Sequence, residues 1–272
     1  MKENGFFSRA AESFTARVIR PLQIMHFDRT RYGRRLRKLR DIHKGERCFI
    51  VANGPSLTAE DLDRLQKEGE ITFAMNRIYK MFPNTSWRPT YYACEDVNIF
   101  HESQDDINSL PAQIKFVPIN HKWYNGVDIR DAAYFWANYD RKKDYPDSFS
   151  PEIAKQMDSM GTVTFTCINI AAYMGFKEIY LIGVDHNYQV TINEDGEKTF
   201  DPNAKDYFCD DYDDDIKDIV VHDMRQNTIA YRKAKKYCDA HGIHVFNATR
   251  GGKLEVFERV DFDSLFEKTK EH

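Results

Sequence analysis

Short apolar runs alternate with segments of helical periodicity along most of the 272-residue chain. The run from Arg47 to Ala52 predicts a buried strand, and leucines at helical spacing between Leu57 and Leu65 predict a helix capped by Thr58. Further strands are predicted at residues 71–75, 91–94, 114–118, 178–183 and 243–246, and further helices at 162–173 and 228–240. This alternation predicts an α/β protein with a Rossmann-like, doubly wound, mostly parallel sheet.

Between Tyr188 and Val221 the periodicity disappears, and glycine, proline, asparagine and aspartate take over. A long stretch without structure of its own inside a compact domain is usually a functional lid, so we predict an inserted lid at about residues 188–222. It contains the aspartate run from Asp210 to Asp215. Such a run is usually a solvated loop, but its hard oxygen ligands also suit a divalent cation.

Residues 1–44 differ from the rest in charge. They carry 12 Lys and Arg against 4 Asp and Glu, a net of +8, which leaves −12 for residues 45–272 because the whole chain carries −4. Phe7, Phe14, Val18, Leu22 and Met25 recur there at helical spacing between arginines. We therefore predict a basic amphipathic N-terminal arm at 1–44 and a Rossmann-like nucleotide-binding catalytic domain at 45–272. The arm suits an anionic membrane surface, or equally a helix packed on the acidic body.

Composition and targeting signals narrow the class of protein. Hydrophobic residues make up 42% and charged residues 30%, as in soluble globular proteins. Apolar runs are too short to cross a bilayer, and arginines interrupt the N-terminal apolar pattern that a secretory signal needs. The five cysteines are dispersed, so no disulfide framework or zinc site is expected. We expect a cytoplasmic protein, peripheral at the inner face of the membrane, that does not bind nucleic acid because basic patches with interleaved aromatics do not recur in the body.

Polar residues follow four predicted strands at their carboxyl ends. They are Asn53-Gly54-Pro55-Ser56, Asn76, Glu95-Asp96 and Gly183-Val184-Asp185. In open α/β sheets, ligands bind beyond these strand ends, where loops and helix N-termini present backbone N–H groups to anions. The sequence therefore predicts a nucleotide site at this edge of the sheet.

The first of these loops is not a common phosphate motif, since both G-x-x-x-x-G-K-[ST] and G-x-G-x-x-G are absent. Gly54 lets the backbone approach a ligand and Pro55 fixes the turn, while Asn53 and Ser56 carry side chains that bind phosphate or ribose. Taken alone, such a tetrapeptide is more often an ordinary turn. Classical P-loop and NAD chemistry are disfavoured.

Two segments resemble a known family. Val51 to Leu57, together with Gly175 to Asp185, is similar to the two signature segments of the bacterial sialyltransferases of glycosyltransferase family 42. The same signatures occur in a related domain found in flagellin-modifying glycosyltransferase-like proteins and archaeal hydroxymethylpterin pyrophosphokinase-like proteins. The resemblance spans roughly residues 46–250 and leaves the basic arm unmatched.

The resemblance implies roles for the matching residues. Asn53 and Ser56 would contact the nucleotide phosphate and ribose, and Asn76 the donor. Gly161-Thr162 would match a nucleotide-binding Ser-Gly segment after a one-residue gap. The family's third donor-binding asparagine has no clear match, because Cys94, Glu95 and Asp96 occupy its neighbourhood and an acidic residue there changes what the pocket accepts. The candidate nucleotide-binding residues are Asn53, Gly54, Pro55, Ser56, Asn76, Glu95, Asp96, Gly161, Thr162, Gly183 and Asp185.

The catalytic candidates implied by the resemblance are Tyr188, matching a lid tyrosine that binds the leaving phosphate, and His222, at the family's catalytic-base position. A histidine with the ordinary pKa of about 6.5 is neutral near pH 7 and accepts a proton from an attacking hydroxyl. His186 is a second candidate base, although we expect its ring nitrogen to bond the lid.

The expected activity is inverting transfer of a sugar from a CMP-activated donor to a glycan hydroxyl, without a metal or other cofactor. One alternative is an ATP- and Mg²⁺-dependent pyrophosphokinase of the hydroxymethylpterin type, which would give the aspartate run a role. The other is a non-catalytic nucleotide-binding module.

Overall fold

A computed structural model describes residues 18–139, 149, 152–192, 196–212 and 222–267. Within these ranges the strands are β1 (Arg47–Val51), β2 (Thr72–Met75), β3 (Tyr91–Ala93), β4 (Ile114–Pro118), β5 (Ala132–Phe135), β6 (Ala137–Asn138), β7 (Met157–Asp158), β8 (Glu178–Ile182), β9 (Val190–Ile192), β10 (Lys198–Phe200), β11 (His222–Asp223), β12 (His244–Asn247) and β13 (Glu258–Arg259). The helices are α1 (Arg20–Met25), α2 (Arg31–Arg37), α3 (Ala59–Glu68), α4 (Val97–Ser109), α5 (Ile119–Tyr124), α6 (Val163–Met174) and α7 (Met224–Ala240).

The main sheet has eight strands in the order β13-β12-β8-β1-β2-β3-β4-β5. Every neighbouring pair is parallel, which confirms the predicted Rossmann-like α/β fold. Val51 at the end of β1 pairs with Ile182 on one side and Ala74 on the other, so three strands end together. The strand order reverses between β1 and β8, which makes this edge the switch point where open α/β sheets bind ligands.

Helix α6 is the central helix of the fold. Most of its residues are buried, and it packs across β1, β2 and β3 on one face of the sheet. It ends at Gly175, whose φ of +96° is left-handed, as predicted for a glycine C-cap. The amino end of α6 therefore lies at the carboxyl edge of the sheet.

Some element predictions needed correction. Helix α7 begins at Met224 rather than Thr228, because Asp223 caps it by accepting a hydrogen bond from the Gln226 N–H at 2.9 Å. Strands β5 and β13 were not predicted. The part of the lid that the structure describes is not aperiodic, since β9, β10 and β11 form a small sheet. Its strands have only two or three residues each, too few for an alternating pattern to be recognised in the sequence.

The basic arm is described from residue 18 onwards, and its first 17 residues, with Phe7 and Phe14, lie outside the described part. Phe27 and Leu36 are fully buried in the main core, and α2 packs against β5. Four apolar side chains before them stay exposed, namely Val18, Ile19, Leu22 and Met25. The arm boundary at residue 44 remains a prediction, but residues 27–39 contribute to the core. No helix among the described residues is long and apolar enough to cross a membrane.

Candidate functional site

A cleft of about 450 Å³ opens at the carboxyl ends of β1, β2, β3 and β8. It brings together most of the predicted site residues from loops far apart in the chain. Pro55 and Ser56 are not among the described residues that line it. The predicted residues in its wall are Asn53, Gly54, Asn76, Glu95, Asp96, Gly161, Thr162, Gly183, Asp185, Tyr188 and His222.

The loops after β1 and β8 are joined at the cleft floor. The Gly54 N–H donates to the Gly183 carbonyl at 2.9 Å, and the Ser56 hydroxyl donates to Asp185 Oδ2 at 2.8 Å. A Cβ on Gly54 would lie 2.0 Å from that same carboxylate oxygen, so this position needs glycine. Burial raises the pKa of Asp185, against the opposing effect of the Ser56 hydrogen bonds. Ser56 thus holds Asp185 in place, whereas the family resemblance implied that Ser56 contacts the nucleotide directly.

Three buried polar atoms in the wall of the cleft have no hydrogen-bond partner among the described residues. They are Asn53 Oδ1, Asn76 Oδ1 and His222 Nε2. The Asn53 amide nitrogen donates to the Met75 carbonyl at 3.1 Å, which fixes the side chain and leaves its oxygen unpaired. Asn76 has a left-handed backbone with φ of +50° and its carbonyl accepts from the Tyr92 hydroxyl at 2.7 Å. Buried polar atoms are nearly always paired, so these three atoms are placed to bond a ligand or water in the cleft.

Glu95 forms a buried polar cluster at the far side of the cleft. Its carboxylate accepts hydrogen bonds from the hydroxyls of Ser159 and Thr166, and its backbone carbonyl lies 2.7 Å from His121 Nε2. Burial raises the pKa of the Glu95 carboxyl, and the two hydroxyls act in the opposite direction. Asp96 beside it is exposed and caps α4 by accepting from the Asn98 N–H at 2.8 Å. Glu95 is therefore held as a fixed acidic wall of the cleft.

The amino end of α6 also faces the cleft. Gly161, Thr162, Val163 and Thr164 line it, and Gly161 has a left-handed φ of +84°. Thr162 is the N-cap residue but makes no side-chain capping bond, and the first turn of the helix carries no acidic residue. The first N–H groups of a helix have no partner within it, so this end is suited to an anion such as a phosphate.

Lid residues cover the site. The Phe208 N–H donates to the Asn53 carbonyl at 3.0 Å, and the Arg77 N–H donates to the Tyr212 hydroxyl at 3.2 Å. Tyr207 stacks on Tyr212 with ring centroids 3.8 Å apart, and both rings line the cleft. The lid is thus attached to the loops that follow β1 and β2.

The two catalytic candidates lie against each other. Tyr188 stacks on His222 with ring centroids 3.7 Å apart and an interplanar angle of 14°. Burial lowers the pKa of His222 from 6.5 to about 4, and burial raises the pKa of Tyr188 well above its ordinary value. At pH 7, His222 is therefore neutral with an available ring nitrogen, and Tyr188 keeps its hydroxyl proton. His222 is a weaker base than a histidine with the ordinary pKa.

His186 lies next to them in a different role. Its backbone is left-handed with φ of +51°, and its Nε2 is 3.1 Å from the Thr228 hydroxyl of α7. Among the described residues, His186 therefore bonds α7, whereas the sequence analysis expected its ring nitrogen to bond the lid. Burial lowers its pKa to about 4. His186 joins the β8 loop to α7, and its paired nitrogen makes it a poorer candidate base than His222.

The described wall of the cleft contains no lysine or arginine. It carries five carboxylates, from Glu95, Asp96, Asp185, Asp206 and Asp223. Burial raises the pKa of Glu95, Asp185 and Asp206. A ligand bearing several phosphates would therefore meet helix and loop N–H groups here, but no cationic side chain of the described lining.

No group of three or more His, Cys, Asp and Glu side chains in the described ranges is placed to hold a metal ion. Of the aspartate run, Asp213, Asp214 and Asp215 lie outside the described residues. The sequence also contains two D-x-D pairs, at residues 61–63 and 261–263. One aspartate of each pair, Asp61 and Asp263, forms an ion pair with Arg250, at 2.7 and 2.8 Å.

Several residues of the cleft were not predicted. Asp223, Asn227 and Tyr231 line it at intervals of four along the start of α7, and Ser159 holds Glu95. The fourfold spacing is a usable sequence signal for one helix face, but the late predicted start of α7 concealed it.

The fold and the cleft define a Rossmann-like α/β protein with a polar cleft at its topological switch point. A family model described as 6-hydroxymethylpterin diphosphokinase MptE-like matches residues 24–191, more than half of the chain, and the chain belongs to this MptE-like family. The predicted relationship to that domain is confirmed, and the match begins inside the basic arm. No curated protein sequence matches significantly.

Among solved structures, the chain is similar to the MAf glycosyltransferase from Magnetospirillum magneticum AMB-1. The TM-score is 0.52 with 16% sequence identity, and the match covers 85% of this chain and 36% of that one. The chain thus corresponds to about a third of the length of that protein. This likeness shows the fold.

Proposed function

We propose that the cleft binds the nucleotide of a CMP-activated sugar and that the chain is a glycosyltransferase of the sialyltransferase type. The observation that carries this proposal is the set of three buried, unpaired polar atoms on Asn53, Asn76 and His222. Two amide oxygens suit the hydroxyl and amino donors of a nucleoside, and a histidine nitrogen suits the hydroxyl of an acceptor. The similarity in fold to a glycosyltransferase supports the same class.

The charge of the cleft favours a donor with one phosphate. A CMP-sugar carries a single phosphodiester charge on its nucleotide, which the amino end of α6 can stabilise through backbone N–H groups. A di- or triphosphate places more negative charge beside the carboxylates of Glu95 and Asp185.

In the proposed reaction, an acceptor hydroxyl oxygen attacks the anomeric carbon as the bond from that carbon to the phosphate oxygen breaks, with inversion. His222 Nε2 takes the hydroxyl proton, and CMP leaves with the bonding electron pair. The phosphate charge beside His222 would raise the pKa of the ring from its value of about 4 and so strengthen it as a base. Tyr188, which keeps its proton at pH 7, donates to the leaving phosphate.

The proposal is tested by following CMP release from CMP-N-acetylneuraminate with a mixture of glycan acceptors, with and without EDTA. We expect acceptor-dependent release that EDTA does not abolish. Nucleotide binding without any turnover on nucleotide-sugar donors would instead indicate a non-catalytic binding module.

The family description favours a second candidate, an ATP-dependent diphosphokinase acting on a pterin alcohol. This reaction normally uses Mg²⁺, and the described residues fit that ion poorly. The Glu95 carboxylate already accepts two hydroxyls and that of Asp185 a third, and no three-ligand cluster is present among the described residues. Consumption of ATP with 6-hydroxymethylpterin, abolished by EDTA, would support this candidate over sugar transfer.

We also propose that the protein is cytoplasmic and associates peripherally with an anionic membrane through its arm. Leu22 and Met25 are exposed on α1 beside Arg20.

Since Phe27 and Leu36 belong to the core, deleting residues 1–40 would destabilise the fold, whereas replacing Leu22 and Met25 by serine leaves the core intact. The double serine variant should bind phosphatidylserine vesicles less tightly than wild type in a sedimentation assay. Equal binding would contradict membrane association through this face.

A further inference from the structure

A second cavity, of about 760 Å³, shares His186 and Tyr188 with the nucleotide cleft. Its other walls come from β9, β10, α7 and the loop at residues 253–256. Most of its lining residues follow residue 191, so they lie outside the part of the chain that the family model matches. The cavity is thus built mainly by residues that follow the family match.

One face of α7 supplies the longest wall. Thr228, Arg232, Lys235 and Asp239 line the cavity at spacings of three and four, which places them along one side of the helix. The same helix lines the nucleotide cleft with Asn227 and Tyr231. Adjacent faces of α7 therefore serve the two cavities.

The charge of this lining is the reverse of that in the nucleotide cleft. Four cationic side chains face the cavity, those of Arg232, Lys235, Lys236 and Lys253. Three carboxylates also line it, those of Asp201, Asp239 and Glu255, so the formal net charge of the lining is +1. Within the lining Lys235 pairs with Asp239 at 3.0 Å, and Glu255 pairs with Arg259, outside the lining, at 2.7 Å. The balance favours an anionic ligand.

Apolar surface completes the lining. Phe200, on β10, is 68% exposed and lines the cavity, and so does the buried Leu254. A cavity of this size lies within the range of small-molecule sites, and its charged groups beside an aromatic face can take a sugar ring that carries an anionic group.

We propose that this second cavity binds the acceptor of the reaction, an anionic saccharide that carries a phosphate or a carboxylate. The name acceptor rests on the proposed function, whereas binding of an anionic saccharide does not. Tyr188 borders both cavities and stacks on His222, so a saccharide held by α7 and Lys253 can present a hydroxyl past Tyr188 to His222.

The test uses three probes that share one ring, namely glucose 6-phosphate, glucuronate and glucose. Their affinities are measured by NMR titration with wild-type protein and with the double variant Arg232→Gln/Lys253→Gln. Both side chains are exposed, and the Lys253 backbone N–H, which donates to the Asp185 carbonyl at 2.7 Å, is retained. The control Arg225→Gln/Lys67→Gln makes the same change in net charge at exposed positions outside the lining.

We expect at least one anionic probe to bind wild type and the control more tightly than glucose, and the double variant to bind it roughly tenfold more weakly. Preference for glucose 6-phosphate assigns the anionic group as a phosphate, and preference for glucuronate assigns it as a carboxylate. Equal binding of all three probes, or equal binding by the double variant and the control, would overturn the inference.

A CMP titration of the same proteins separates this inference from the proposed function. Charge-dependent saccharide binding by a protein that does not bind CMP would support the second cavity and refute the nucleotide proposal. CMP binding together with unchanged saccharide binding in the double variant would refute the cavity alone.

Discussion

The cleft at the carboxyl ends of β1, β2, β3 and β8 and the second cavity meet at His186 and Tyr188 but differ in composition. The cleft has unpaired amide oxygens, helix N–H groups and carboxylates, with no lysine or arginine in its described lining. The second cavity has four cationic side chains and an exposed aromatic ring. One therefore suits recognition by directed hydrogen bonds, and the other suits attraction of a charged group.

The two cavities also differ in their relation to the family. Much of the cleft is built from the loops after β1, β2, β3 and β8, which lie within residues 24–191. The second cavity depends on β10, α7 and the loop at 253–256, which lie beyond that match.

The largest expected effect comes from His222, which lines the cleft and stacks on Tyr188, a residue shared with the second cavity. His222→Gln should lower the rate of CMP release in the presence of acceptor by about 10²–10⁴, because a positioned general base is lost, and should change CMP affinity little. His26→Gln, an exposed histidine on the arm, is the matched control. A near wild-type rate in His222→Gln would move the role to His186, and an active double variant would exclude a histidine base.

A smaller effect should follow from adding charge to the cleft. Asn76→Asp leaves the size of the side chain unchanged, and aspartate, like asparagine, tolerates the left-handed backbone at this position. The substitution places another carboxylate beside the phosphate of the proposed nucleotide. We expect CMP to bind roughly tenfold more weakly by calorimetric titration, and glucose 6-phosphate binding to be unchanged. Asn84→Asp, at an exposed position, is the control. Equal CMP affinity in Asn76→Asp and the control would place the phosphate elsewhere.

The smallest effect concerns stability against acid. Burial lowers the pKa of His222 and of His186 from 6.5 to about 4, so between these values the unfolded chain binds more protons than the folded one. The free energy of unfolding should therefore fall as pH falls from 7 to 5, by on the order of 1–2 kcal/mol for each histidine. Urea unfolding of His222→Gln at the two pH values should show a smaller difference than wild type. An unchanged difference would contradict the burial of the ring.

The sequence predicted the cleft better than the second cavity, for a physical reason. Asn53, Asn76 and Asp185 each follow a buried strand, and parallel strands place their carboxyl ends at one edge, so local patterns sufficed. The partners of individual side chains were predicted less well. The Ser56 hydroxyl binds Asp185, where a nucleotide contact was expected, and His186 binds α7, where a bond to the lid was expected.

The second cavity was not predicted at all. Phe200, Arg232 and Lys253 come from three separate elements, and no local pattern shows that they meet. The lid strands β9 and β10 that line it have three residues each, too few for an alternation of apolar and polar residues to be recognised.

The central claim is that a mononucleotide binds at the edge of the sheet where β1 and β8 end. The most direct test is calorimetric titration of CMP, and of ATP with Mg²⁺, into wild type and Asn53→Ala. Because Asn53→Ala also loses the hydrogen bond to the Met75 carbonyl, urea unfolding of both proteins measures how much stability the variant loses. We predict that wild type binds CMP more tightly than ATP and that Asn53→Ala, still folded, binds CMP at least about tenfold more weakly. Tighter binding of ATP with Mg²⁺, or equal CMP affinity in the two proteins, would contradict the claim.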